Sequence, residues 1–82
     1  MTEPKYKINE IVYVMIEYDD EGVSTANLAY IAKGRVTGII QLNENGYKYI
    51  VSGHNFSVSR YDSYVYATIE ELIEDFRSVI IQ

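Results

Sequence analysis

The chain has 82 residues, no cysteine, 12 acidic residues and 7 lysines or arginines, and a formal net charge of −5. This length suits one domain rather than two, and the lack of cysteine excludes disulfides, thiolate chemistry and cysteine-ligated metal sites. The acidic balance argues against a general nucleic-acid-binding protein, which usually presents a basic face.

The start of the chain lacks the apolar segment of a signal peptide, and no apolar run reaches membrane-spanning length. We therefore expect a cytoplasmic protein that does not associate with membranes. Residues 1–5 are predicted to be a short flexible N-terminus, and residues 6–82 are predicted to form a single domain.

Residues 6–18 predict the first strand. Alternation places Val12, Val14 and Ile16 on one face, and the opposite face is also apolar. This pattern favours a strand covered on both sides or the bent first strand of a small barrel. A polar connection follows over residues 19–27, and a second strand leads into a hairpin.

The Asn45-Gly46 dipeptide predicts the turn of that hairpin, because two-residue turns need positive φ at both central positions. The resulting register places Leu42 opposite Tyr49 and Gly38 opposite Gly53 on an apolar face. Glycine inside a strand often marks a bend or a close backbone approach. The sequence therefore predicts a hairpin bent over a barrel.

Residues 54–60 predict a short fourth strand, and residues 61–67 a tyrosine-rich turn. Thr68 and Glu71 then form a capping-box pattern that starts a helix over residues 69–78. Residues 79–81 are β-branched, which favours a last short strand. The predicted buried stripe of the helix consists of Ile69, Leu72, Ile73 and Phe76.

Three motifs accompany this order of elements. They are Tyr-Lys-Ile-Asn-Glu-Ile-Val-Tyr-Val at residues 6–14, the glycine-bearing hairpin at residues 34–51, and Val-Tyr-Ala-Thr-Ile-Glu-Glu at residues 65–71. Over residues 6–77 the chain resembles small SH3-like barrel proteins of Gram-positive bacteria and their phages. The resemblance implies a mainly β fold, a small SH3-like β-barrel of four to five antiparallel strands with one C-terminal α-helix. It implies no particular activity, and Asn9 stands where those proteins carry a turn glycine.

An enzymatic site is not expected. His54 is the only histidine, and a short chain has little room for a converging catalytic triad. The acidic run that begins at Asp19 lacks the ligand spacing of a calcium loop. We therefore expect no catalytic residues, no cofactor and no metal.

Two surface features remain. The chain has nine tyrosines against two phenylalanines, and tyrosine suits positions where one end of the ring meets water or a partner. Acidic residues four apart on the helix repel one another, which suggests a use for that face, although solubility alone also explains it. The predicted partner-binding residues are Tyr61, Tyr64, Tyr66, Glu70, Glu71, Glu74, Asp75, Asp19, Asp20 and Glu21.

The leading hypothesis is a non-enzymatic protein-binding module, encoded by a phage or mobile element, with a protein partner that can be basic. An alternative is an acidic DNA mimic that inhibits a host defence protein, of the anti-CRISPR or anti-restriction type. A further alternative is a nucleic-acid-binding barrel. Its candidate cations are Lys33, Arg35, Lys48 and Arg60. Pairing of edge strands between copies leaves a homo-oligomer open.

Overall fold

The computed structural model describes residues 3–17, 29–42 and 46–76. It contains strands β1 (Ile11–Glu17), β2 (Ala29–Gln41), β3 (Tyr47–Gly53) and β4 (Phe56–Tyr61), a 3₁₀ turn (Asp62–Tyr64) and helix α1 (Ile69–Asp75). The strands form one antiparallel sheet in the order β1-β2-β3-β4. The predicted mainly β fold with a C-terminal helix is confirmed, and the sheet is an open one.

The inner face of the sheet carries the core. Val12, Val14 and Ile16 of β1 are fully buried, as their alternation predicted. They pack with buried residues of the other strands and of the segments that flank the sheet. These partners are Tyr6, Ala32, Val36, Tyr47, Tyr49, Val51, Val58 and Val65.

The loop between β2 and β3 is longer than a two-residue turn. Ile39 pairs with Tyr49, whereas the sequence register placed Leu42 there, so the predicted register is wrong by three residues. The Leu42 N–H donates to the carbonyl of Gly46 at 2.9 Å, which closes the loop. Residues 43–45, with the first residue of the predicted turn, lie outside the described residues.

A β-bulge in β2 changes which residues face inward. The register shifts between Val36, which pairs with Val51, and Gly38, so Thr37 is the extra residue. Val36 is buried and Ile39 packs against the core only three positions later. Simple alternation cannot place both residues inside, and the bulge is the reason that both are.

The glycine pairing follows from the bulge. Gly38 pairs with Ile50, so the predicted Gly38–Gly53 pair is wrong. Gly34 and Gly53 are instead the positions where the backbones of β2 and β3 approach closely. A Cβ on Gly34 would lie 2.9 Å from the Ser52 carbonyl oxygen, and one on Gly53 would lie equally close to a β2 carbonyl. A side chain at either position requires a backbone shift.

The first turn depends on Asn9, which has a φ of 77°. The Glu10 N–H donates to the Lys7 carbonyl at 3.0 Å, and the Asn9 N–H donates to the Val36 carbonyl at 2.7 Å. Asparagine tolerates the left-handed region better than most residues. Asn9 therefore adopts a left-handed conformation that glycine would also adopt readily.

The chain after β4 returns to β1. Tyr13 and Tyr66 exchange two backbone hydrogen bonds of 2.8 and 3.0 Å across an isolated bridge. The Arg60 guanidinium of β4 donates to the Met15 carbonyl of β1 at 3.1 Å. Two contacts thus connect the last strand and the segment that follows it to the edge of β1 that β2 does not occupy.

Candidate interaction surfaces

The three candidate tyrosines of the turn lie in different environments. Tyr61, the last residue of β4, is 52% exposed, and Tyr64, which ends the 3₁₀ turn, is 51% exposed. Tyr66 is only 7% exposed, and its hydroxyl donates to the Asp75 carboxylate. The buried Tyr66 side chain therefore connects the turn to α1 through its hydrogen bond to Asp75. Tyr61 and Tyr64 are the two rings of the turn that are exposed to solvent.

Two buried tyrosine hydroxyls near this turn have raised pKa values. Burial raises the pKa of the Tyr66 hydroxyl, and the hydrogen bond to Asp75, the Asp75 charge and Tyr64 raise it further. Burial also raises the pKa of Tyr6 to about 12, with a contribution from the charge of Glu71. A carboxylate of α1 thus acts on each buried hydroxyl, Asp75 on that of Tyr66 and Glu71 on that of Tyr6, whereas Tyr64 acts on Tyr66 alone.

Helix α1 starts as predicted, because the Thr68 hydroxyl accepts the Glu71 N–H at 3.2 Å. Its buried stripe is narrower than predicted. Leu72 is fully buried, but Ile69 and Ile73 are 36% and 37% exposed. The helix therefore presents aliphatic side chains as well as charge to solvent. The predicted end of the helix and the strand over residues 79–81 lie outside the described residues.

All four predicted acidic residues of α1 are exposed. We group these acids with the half-exposed Tyr64, which precedes the first residue of α1 by five positions, and call the set the acidic helix surface. It consists of Tyr64, Glu70, Glu71, Glu74 and Asp75. The other predicted acids, Asp19, Asp20 and Glu21, lie outside the described residues.

The outer face of the sheet has the opposite charge. A shallow groove of about 330 Å³ runs over β2 and the end of β3. Side-chain hydroxyls of three strands are hydrogen-bonded in series on this face. Thr37 of β2 bonds to Ser52 of β3 at 3.1 Å, and Ser52 bonds to Ser57 of β4 at 3.0 Å. The groove is lined by Ile11, Lys33, Gly34, Arg35, Thr37, Ser52 and Gly53.

A third cation lies further along the same face. The Lys48 ammonium is 5.0 Å from the centre of the Tyr61 ring, and the two residues pair between β3 and β4. Arg60, the fourth candidate cation, is directed to the β1 edge instead. Among residues 11–16, 31–41 and 47–61, the side chains that alternate outward include no carboxylate. We call this the basic sheet surface, and its defining residues are Lys33, Arg35, Lys48, Tyr61, Thr37 and Ser52.

His54 is exposed at the β3–β4 turn. Among the described residues, no group of three or more histidine, cysteine, aspartate or glutamate side chains is placed to hold a metal ion. No helix in the described part of the chain has the length and hydropathy needed to cross a lipid bilayer.

Comparison with known proteins returned no match. No family model, no curated protein and no solved structure shows significant similarity to this chain. Inferences about function therefore depend on the two surfaces themselves.

Proposed function

We propose that this chain is a small SH3-like barrel that acts as a non-enzymatic protein-binding module. The barrel is supported by the contacts that join the end of the sheet to its beginning. Tyr66 forms a bridge with Tyr13 on the β1 edge, where a fifth strand would pair, and Arg60 donates to Met15 on the same edge. The 3₁₀ turn lies between β4 and this bridge.

We assign partner binding to the acidic helix surface. The observation that carries this proposal is that Tyr64 is half-exposed in the turn that precedes a helix with four exposed acidic residues, of which Asp75 also accepts the hydrogen bond of the Tyr66 hydroxyl. A tyrosine buries a large, rigid ring and retains a hydroxyl for hydrogen bonding, which makes it a frequent energetic centre of interfaces. Surrounding carboxylates favour a basic partner and speed its encounter.

The exposed aliphatic residues of α1 extend this surface. Ile69 and Ile73 are four positions apart and therefore lie on one side of the helix, next to Glu70 and Glu74. Apolar anchors at this spacing are typical of a helix that docks into an apolar groove. The partner that fits best has an apolar groove with a basic rim.

The DNA-mimic alternative depends on different residues of the acidic helix surface. A mimic acts through its carboxylates, so its binding falls steeply with salt and does not need an aromatic or aliphatic anchor. A protein-binding module of the proposed kind depends on Tyr64 and Ile73 and loses less affinity in salt. The anchor residues therefore discriminate between the two functions.

The test is affinity capture from a lysate of the organism that carries the gene, with tagged wild-type chain and variants. We expect Tyr64→Ala and Ile73→Ala to lose the captured protein and Tyr61→Ala, which removes an equally exposed ring, to retain it. Glu70→Lys with Glu74→Lys reports the charge contribution. Loss on charge reversal with full retention by Tyr64→Ala and Ile73→Ala would favour the DNA mimic and overturn the proposal.

A further inference from the structure

Charge is segregated on this molecule in a way that its net charge of −5 conceals. Among residues 11–16, 31–41 and 47–61, the outward-facing side chains include cations and no carboxylate, whereas every charged residue of α1 is acidic. Three of the seven lysines and arginines, Lys33, Arg35 and Lys48, share the basic sheet surface. An acidic chain that collects cations on one face has a surface complementary to an anionic ligand.

We propose that the basic sheet surface binds single-stranded nucleic acid. Lys33 and Arg35 are both exposed and line the groove from β2, where they would neutralise phosphates. The neighbouring hydroxyls of Thr37 and Ser52 offer neutral hydrogen-bonding groups beside them. This site lies apart from the acidic helix surface and does not depend on the proposed protein-binding function.

Two glycines of the hairpin lie at the groove. Gly34 and Gly53 both line it. The Cβ atom that each lacks would point to the core side, against Val51 and Phe56, so the glycines do not themselves open the outer face. They bring the backbones of β2 and β3 close together beside the exposed Lys33 and Arg35.

Tyr61 supplies the surface on which a base would stack. Its ring is half-exposed on the same face, and the Lys48 ammonium lies over it. An exposed cation–π contact is weak compared with stacking of a base on an aromatic ring, so a base can displace Lys48 and leave it free for a phosphate. Arg35 pairs with Ser52 and Tyr61 with Lys48, four residues apart along β3, which is about 13 Å and suits a few nucleotides.

A single strand fits these features better than an acidic protein segment does. A polyglutamate chain would use the cations but gains nothing specific from a half-exposed ring beside them. An unpaired base has a π face for Tyr61 and a phosphate for each cation. A base in a duplex is already stacked and does not offer that face.

The experiment is fluorescence anisotropy of a labelled oligothymidylate of about 12 nucleotides with the full chain. Three phosphate contacts predict that a fourfold rise in salt, from about 50 to about 200 mM, weakens wild-type binding by about 20-fold. With Lys33→Ala and Arg35→Ala together, binding is weaker at low salt and the same rise weakens it by only about threefold. Lys5→Ala with Lys7→Ala removes the same charge from the exposed N-terminal segment and should leave binding near the wild-type level.

Substitution of the aromatic residues distinguishes a nucleic-acid ligand from an acidic protein ligand. Tyr61→Ala should weaken oligonucleotide binding by at least about fivefold, whereas Tyr64→Ala, an equally exposed ring on the acidic helix surface, should not. The proposal is overturned if no complex forms at low salt. It is also overturned if the Lys33→Ala, Arg35→Ala variant and the Lys5→Ala, Lys7→Ala variant lose the same affinity. Equal competition by polyglutamate together with no effect of Tyr61→Ala also overturns it, in favour of an acidic protein ligand.

Discussion

Tyr6 and Tyr49 pack edge to face in the core, with ring centroids 5.3 Å apart. The Tyr49 hydroxyl accepts the backbone N–H groups of Lys5 at 2.8 Å and of Tyr6 at 3.4 Å, and the Tyr6 hydroxyl donates to the Val65 carbonyl at 2.9 Å. The two rings thus connect the N-terminal segment to β3 and to the segment after the 3₁₀ turn. Tyrosine, rather than phenylalanine, is needed here because the hydroxyls satisfy buried backbone groups.

Tyr49→Phe should lower the free energy of unfolding by about 1–3 kcal/mol, because it leaves two backbone donors near the core without their acceptor. Tyr61→Phe removes an exposed hydroxyl and should change stability by less than about 0.5 kcal/mol. Urea denaturation followed by circular dichroism measures both. Equal stability of the two variants would show that the Tyr49 hydroxyl has no structural role.

Stability should fall in alkaline solution. Burial, with nearby carboxylates, raises the pKa of Tyr6 from 10.0 to about 12 and also raises the pKa of Tyr49 and Tyr66. Unfolded tyrosines ionise near pH 10, whereas the folded Tyr6 keeps its proton, so the stabilisation is complete below about pH 10 and is lost as the pH rises towards 12. For Tyr6 alone this amounts to about 2 kcal/mol.

Denaturation at about pH 9 and about pH 11.5 measures this loss, and Tyr6→Phe is the control because it lacks the ionising group. The variant should start less stable, since the Val65 carbonyl loses its donor, but should lose less stability between the two pH values. A decline as steep as that of the wild type would contradict the assignment to Tyr6.

Gly34→Ala and Gly53→Ala should each destabilise the fold by about 1–3 kcal/mol, since each new Cβ meets a backbone carbonyl at 2.9 Å. Gly38→Ala is the matched control. Its Cβ would meet mainly the end of the Ile50 side chain, which can move, so a smaller loss is expected. Thermal unfolding of the three variants gives the order, and a larger loss for Gly38→Ala would contradict the observed hairpin register.

Asn9→Ala should destabilise the chain by about 1 kcal/mol, because alanine disfavours a φ of 77°. Asn9→Gly should be close to neutral, since glycine adopts that conformation readily. Both variants keep the backbone hydrogen bonds of the turn. Chemical denaturation distinguishes them, and equal effects of alanine and glycine would mean that backbone conformation does not determine the choice of residue at this position.

Local patterns predicted much of the fold. The buried face of β1, the alternation of Phe56 and Val58 in β4, the 3₁₀ turn and the Thr68 cap all follow from neighbours in sequence. The hairpin register could not be predicted from neighbours in sequence, because the hairpin combines a longer loop with a bulge at Thr37. A bulge shifts the period of two by one residue, and Gly38 beside Thr37 indicates an irregularity in the strand without specifying the register that results.

The candidate surfaces were predictable in part. Exposure of the helix acids and of Tyr64 agrees with the expected polar faces. Burial of Tyr66 was not predictable, since its backbone pairs with Tyr13, which is distant in sequence, and its side chain contacts Asp75 and Phe76. The sequence named Lys33, Arg35, Lys48 and Arg60 as candidate cations, but the correct register is needed to place Lys48 beside Tyr61 and Arg35 beside Ser52.

The central claim is that Tyr64 anchors a protein partner on the acidic helix surface. Its most direct test is the affinity of the captured partner for Tyr64→Ala and Tyr61→Ala, measured by calorimetry at about 150 mM salt. We expect Tyr64→Ala to weaken binding by at least about tenfold and Tyr61→Ala by less than about twofold, as for a central and a remote ring. Unchanged affinity of Tyr64→Ala, or a larger loss for Tyr61→Ala, would contradict the claim.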